Sequence, residues 1–162
     1  MFHRLGHYDN TDGIMWMLLA RAVLVLTTML SGMSSVFAAD EVLMMPIAAA
    51  LTSTDGRAKI DGDVKFFFGK AKPARITHQY GNFITNNKVH VVGRTTAEAC
   101  NLVFLNALED LQKKARAVGA NAVSGVVSYF RRRETTSDDS FECNVGSVVA
   151  GVALKGDLVK GD

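Results

Sequence analysis

The sequence predicts an α+β, two-layer sandwich in which one long helix (about residues 96–118) packs on a mainly antiparallel sheet and is stapled to it by one disulfide. Three observations carry that expectation. Cys100, Val103, Phe104, Ala107, Leu108, Leu111, Ala115 and Val118 recur every three or four positions, the period of an amphipathic helix. Runs rich in β-branched and aromatic residues, punctuated by turn residues, lie on both sides of that stretch. The chain has two cysteines, Cys100 and Cys143, and an even number favours a disulfide in an exported chain.

The reading as an exported chain comes from residues 14–39, IMWMLLARAVLVLTTMLSGMSSVFAA. Arg21 supplies a positive charge, Ala22–Leu30 an apolar core, and Val36-Phe37-Ala38 places small residues where a signal peptidase inspects them. Cleavage is expected after Ala38. Cleavage after Ala39 ranks second, because it puts bulky Phe37 three residues before the cut. Met15 and Met17 are alternative starts to Met1. Residues 1–38 are thus a leader and cleaved signal, and 39–162 a single periplasmic domain. The alternative is an N-terminal membrane anchor, since a bilayer needs about 20 apolar residues. Losing residues 1–38 removes Arg4, Arg21, Asp9 and Asp12, so the net charge of +2 is unchanged. So small a balance shows no footprint of nucleic-acid binding.

Along the remaining chain, Asp40–Met45 reads as an extended start, and Pro46 opens a short helix through Leu51, since proline is tolerated in a first turn. Ser53–Gly56 reads as a turn. Val64–Phe68, Arg75–Tyr80 and Lys88–Val92 read as strands, with Lys70–Pro73 breaking the first from the second and Asn86-Asn87 as a turn before the third. Thr95 and Glu98 form a capping box for the long helix, and Gly119 sits where a left-handed terminating residue belongs. Ala122–Phe130 is a strand, Arg131–Ser140 a polar loop and Phe141–Leu154 a returning strand. The strand after the helix runs back toward its N-terminus, and the next strand starts there. Cys100 and Cys143 therefore meet at one end of the domain. Their bond closes a loop of about 44 residues, worth about 4 kcal/mol in chain entropy.

Little of this sequence carries chemistry. His78 and His90 lie on strands, and no Cys/His cluster supplies the three or four ligands that a metal centre needs. Asp61-Gly62-Asp63 resembles a fragment of a calcium loop, but Lys65 and Phe67 stand where oxygen ligands belong. Gly69-Lys70 lacks the rest of a phosphate loop: Val64 and Ala71 occupy its other key positions. Ser124-Gly125 reads as a small pair on a strand under the helix. Asp138, Asp139 and Glu142 read as a solvated hairpin tip. Arg131-Arg132-Arg133 has the composition to grip an anion, blunted by Glu134, Asp138 and Asp139. For Phe66, Phe67 and Phe68, covered core and an exposed interaction patch stay open as the two readings, since alternation buries Phe66 and Phe68 and exposes Phe67. No catalytic, cofactor or metal residue is assigned.

From Glu98 to Lys160 the chain resembles a group of small exported bacterial proteins that carry the label "excinuclease ATPase subunit". EAC at 98–100, FLNALEDLQKKARAVGANAV at 104–123, FEC at 141–143 and VVAGVALKGDLVK at 148–160 carry this resemblance, which reaches back to VKFFFGK at 64–70. An excinuclease ATPase needs phosphate loops and zinc-binding cysteine sets, which this chain lacks, so ATP hydrolysis is not expected. The pattern A-x-x-x-G-A-N-A-V at 115–123, followed by two strands, is also similar to the fold of the Rcs stress-sensor lipoprotein and to YbjQ-type heavy-metal-binding domains. The stress sensor ties such a unit with disulfides. No metal ligand transfers from the YbjQ-type domains. The function these observations lead to is a non-enzymatic module that contacts an envelope protein or surface, with small-ligand or metal binding as the alternative.

Overall fold

The computed structural model describes residues 41–162. The stretch expected to be a signal, with Ala38, Ala39 and the expected cleavage boundary between them, lies outside the described residues. In chain order the elements are β1 (Glu41–Pro46), α1 (Ile47–Thr52), α2 (Thr54–Lys59), β2 (Lys65–Phe68), β3 (Ile76–His90), α3 (Thr96–Val118), β4 (Ala122–Ser128), β5 (Ser140–Val145) and β6 (Val149–Gly161). The result is an α+β fold with one long helix on a curled, mainly antiparallel sheet.

β6 is the spine of the sheet. β3 pairs along one of its edges, from His90↔Val149 to Ile76↔Gly161. Its other edge is shared: β5 pairs near Ala150 and Gly151, and β4 pairs from Leu154 to Val159. β1 then adds outside β5, and β2 adds outside β4, the one parallel pairing among the described residues. Gly125, with φ of 60°, is an extra residue in β4. It shifts the register against β6 between Ser124 and Val127 and against β2 between Val123 and Val126, the mark of a bulge.

Helix α3 follows the sequence expectation closely. Glu98 N–H donates to Thr95 Oγ1 at 3.3 Å, and Thr95 N–H donates to Glu98 Oε2 at 2.8 Å. Gly119 ends the helix at φ of 79°. Thr95→Ala removes one half of this box. The variant should lose about 1 kcal/mol in a denaturant titration, and Thr95→Ser should lose far less.

One face of α3 buries Cys100, Val103, Phe104, Ala107, Leu108, Leu111 and Ala115 against the sheet. Leu105 and Gln112 are buried too, on a flank the heptad-like pattern leaves to solvent. The reason is α1 and α2, which pack there: Gln112 Nε2 donates to the Lys59 carbonyl at 3.3 Å. Val118 is only half-buried.

Several local expectations are corrected by pairing at a distance. The turn expected at Asn86-Asn87 does not exist: β3 runs unbroken through it, because both residues pair with β6 and Asn87 Nδ2 donates to Asp110 Oδ2 of α3 at 2.9 Å. The stretch Arg75–Tyr80, whose alternation suits a half-buried strand, is exposed except at Ile76, which is half-buried. Ser53–Gly56 is not a free turn; Ser53 caps α2, accepting from Gly56 N–H at 3.0 Å. The strand expected over 141–154 is two strands, split at Gly146, whose N–H donates to Val149 O at 2.9 Å. The strand expected over 122–130 stops at Ser128.

Candidate binding cleft on the open face of the sheet

Side chains alternate across a strand, and α3 covers only one face of this sheet. On β6 the core takes Ala150, Val152 and Leu154, so Val149, Gly151 and Ala153 point the other way. Cross-strand register carries the same face outward in a row: Val42 of β1, Asn144 of β5, Gly151 of β6 and Lys88 of β3. Asn86 stands opposite Ala153 in the next row. The small residues Gly151 and Ala153 leave this face concave.

The wall of the cleft is the segment after β4. Tyr129 N–H donates to Ala153 O at 2.8 Å, which fastens the start of the segment to β6. A tight helical turn, Phe130–Arg132, follows, closed by Arg133 N–H donating to Phe130 O at 2.9 Å. Ser128 and Thr135 then pair across the base. To make this turn Arg131 and Arg132 both take left-handed backbone, φ of 51° and 64°. Such a conformation costs a non-glycine residue about 1–2 kcal/mol, and consecutive examples persist only where the surroundings hold them. Lys155 anchors the far side. Its ammonium pairs with Glu134 at 2.6 Å, which raises its pKa, and lies 5.3 Å from the Tyr129 ring centre.

The enclosed volume is about 520 Å3, lined by β3, β6 and this turn. A second hollow of about 340 Å3 continues past Phe130 and Arg131 to Val42 and Arg133, with Asn144 bordering both. Lys88, Arg131 and Arg132 line the larger part. Among the described residues no carboxylate lines it, and neither Arg131 nor Arg132 is in an ion pair.

Beneath the cleft lies Glu142, only 2% exposed. It accepts from Thr135 Oγ1 at 2.8 Å and from Asn144 Nδ2 at 3.4 Å, and Arg133 Nη2 approaches to 3.8 Å. Its backbone N–H donates to Ser128 Oγ at 2.8 Å. Glu142 therefore fixes which way the Asn144 amide points. The Asn144 nitrogen must face the carboxylate. Its oxygen Oδ1, on a residue 8% exposed, is left with no partner among the described residues.

The other residues singled out from sequence are placed as follows. Cys100 and Cys143 are bonded, with Cα atoms 5.8 Å apart. Phe66, Phe67 and Phe68 are all half-buried; Phe66 and Phe68 pack on the core, and the most exposed large apolar residues lie elsewhere, at Val42, Met44, Tyr80, Ile84, Val92 and Val148. His78 and His90 stand near opposite ends of β3, twelve residues and so about 40 Å apart, and cannot share a ligand. Asp61 and Asp63 both bind the Arg116 guanidinium at the end of α3, which holds the Asp63 carboxyl down to about 2. Among the described residues no three His, Cys, Asp or Glu side chains gather in a metal-binding group.

Of the acidic trio, Asp138 and Asp139 are exposed as expected, though Asp138 Oδ1 accepts from Lys70 N–H at 2.9 Å and the Asp139 carbonyl from Ile47 N–H at 2.9 Å; Glu142 is instead buried. Of the arginine run, Arg131 and Arg132 reach the larger hollow, whereas Arg133 borders the smaller one beside Glu142. Sequence reading had no signal for Lys88, Tyr129 or Asn144. The alternation of small residues at Gly151 and Ala153 was visible but gave no reason to prefer one face. Compared with protein-family models, curated proteins and solved structures, the chain finds no match.

Proposed function

We propose that this chain is an exported, non-enzymatic binding domain, and that the cleft between β3, β6 and the Tyr129–Arg133 turn is its ligand seat. The observation that carries the reading is the buried, unpartnered Asn144 Oδ1 at the meeting point of the two hollows. A buried acceptor without a donor costs roughly 1–3 kcal/mol, and of the four such amide oxygens among the described residues (with those of Asn87, Asn101 and Gln112) only that of Asn144 belongs to a residue lining this cleft. A volume of about 520 Å3 also fits small-ligand sites, which run at roughly 300–1,000 Å3. Export is supported by residues 14–39, and the bonded cysteines are compatible with an oxidising compartment. Among the described residues the cleft offers cations and amides but no nucleophile with a base beside it, which favours binding over catalysis. Contact with an envelope protein is the second reading, favoured by Val42 and Met44, about half exposed on the same face.

The test is a plug. A Cβ on Gly151 meets Asn87 O and Lys88 Cγ at an ordinary 3.7 Å, so the strand accepts a side chain there, and that side chain must enter the cleft. Gly151→Leu should melt within a few degrees of the parent. In native mass spectra of chain purified from the cell envelope, the parent should carry a small-molecule adduct that the variant lacks. Identical adducts on both forms place the ligand elsewhere, and a protein adduct lost in Val42→Asp/Met44→Asp selects the second reading.

A further inference from the structure

The lining of the cleft is specific enough to name the class of ligand. Its polar side is cationic: Lys88, Arg131 and Arg132 line it, and the nearest carboxylates are engaged, Glu134 by Lys155 and Glu142 by Thr135, Asn144 and Arg133. Guanidinium groups match carboxylate and phosphate oxygens in a planar, two-pronged geometry. The backbone of Arg131 and Arg132 is left-handed at both residues, which sets the direction in which both side chains leave the turn at a conformational cost, and the Arg131 guanidinium lies 5.2 Å from the Phe130 ring centre. The floor and flanks are mostly apolar, made by Val149, Gly151, Ala153, Ile84 and the rings of Tyr129 and Phe130, with Asn86 and Thr85 among them. An inorganic oxyanion fills only a small part of 520 Å3 and leaves that surface wet. Asn144 Oδ1 adds a third requirement, because an acceptor locked in place by Glu142 asks for a donor from the ligand.

We infer that the cleft takes an amphiphilic organic anion: an acidic head paired with Arg131 and Arg132, an N–H or O–H donor beside that head facing Asn144 Oδ1, and an apolar body lying on Val149, Gly151 and Ala153. This rests on the cleft being the ligand seat. Acyl amino acids, hydroxylated acids and hydroxyl-bearing lipid phosphates share this chemistry. Arg133 and the buried Glu142 form the polar ground beneath the head, and Lys88 closes the opposite side, one strand pair away across Gly151.

Four probes separate the parts of the inference: N-octanoylglycine, its methyl ester, octanoyloxyacetate (the same acid with oxygen in place of the amide N–H) and octyl phosphate. Each is titrated calorimetrically into the disulfide-intact protein. N-octanoylglycine should bind at least tenfold more tightly than its uncharged ester, and about threefold or more better than octanoyloxyacetate, the range expected for losing a charged or a neutral hydrogen-bond partner. Arg131→Ala/Arg132→Ala should erase the first difference, and Asn144→Ala the second, with far-ultraviolet circular dichroism unchanged in each. Octyl phosphate binding more tightly than N-octanoylglycine assigns a phosphate head, and the reverse a carboxylate head. Ester and acid binding equally well overturns the anionic class. If Gly151→Leu still blocks both, the cleft survives as the seat of a neutral ligand. Failure of all four probes also overturns the class, and the adduct lost or kept in Gly151→Leu then judges the cleft on its own.

Discussion

Replacing Cys100 and Cys143 with alanine should lower the unfolding free energy by about 4 kcal/mol. The two cysteines are 43 positions apart, and both sulfur atoms are buried between α3 and β5. The bond restricts the unfolded chain over most of α3, all of β4 and the cleft wall, and that restriction is lost in the variant. Small domains hold only about 5–15 kcal/mol in total, so the loss should show as a large drop in the guanidinium midpoint. The reduced parent should match the double variant. The bond also ties β5, and through it the edge strand β1, to the helix. Hydrogen exchange in the variant should therefore rise first at Val42–Met45 and Phe141–Val145. A midpoint unchanged by reduction would mean that packing alone positions β5.

Phe104→Ala should cost about 3–5 kcal/mol. Its ring is fully buried and stacked on Phe141, with centres 3.9 Å apart and planes within 8°. The Phe68 ring centre lies 6.2 Å from that of Phe104, and Phe66 a further 6.3 Å from Phe68. These rings form one chain through the core, joining β2, α3 and β5. Truncating the middle of that chain leaves a cavity that neither the helix nor the sheet can close without breaking other contacts. Phe67→Ala, on the residue of the run that does not pack on the core, should cost far less. A double-mutant cycle between Phe104 and Phe141 should return a coupling of about 1 kcal/mol. Equal losses for Phe67 and Phe104 would contradict this account of the core.

Features set by near neighbours were readable in the sequence. The apolar face of α3, the Thr95–Glu98 box, the left-handed Gly119 and the short helix after Pro46 all depend on residues within about one turn of each other. The disulfide was readable as well, because two cysteines allow one intramolecular pairing and the helix–strand–strand order returns them to one end. Features set by distant partners were misread. Asn86-Asn87 has turn chemistry locally, yet β6 supplies hydrogen bonds along its whole length and Asp110 takes the Asn87 side chain. Leu105 and Gln112 look solvent-facing on a helical wheel until α1 and α2 cover them.

The cleft belongs entirely to this second group. Arg131 and Arg132 could be noted as an anion-binding composition, but their left-handed backbone is imposed by the Ser128–Thr135 closure and the Tyr129–Ala153 hydrogen bond. Asn144 becomes an unpaired acceptor only because Glu142 is buried beside it, and Lys88 reaches the same hollow only because β3 aligns it with Gly151. The sequence alone set the helix, its caps, the staple and the alternating apolar strands, since periodicity and capping are local. Tertiary structure decided which strands became one, which sheet face stayed open and which side chains met there, because register is a property of pairs of segments far apart in the chain.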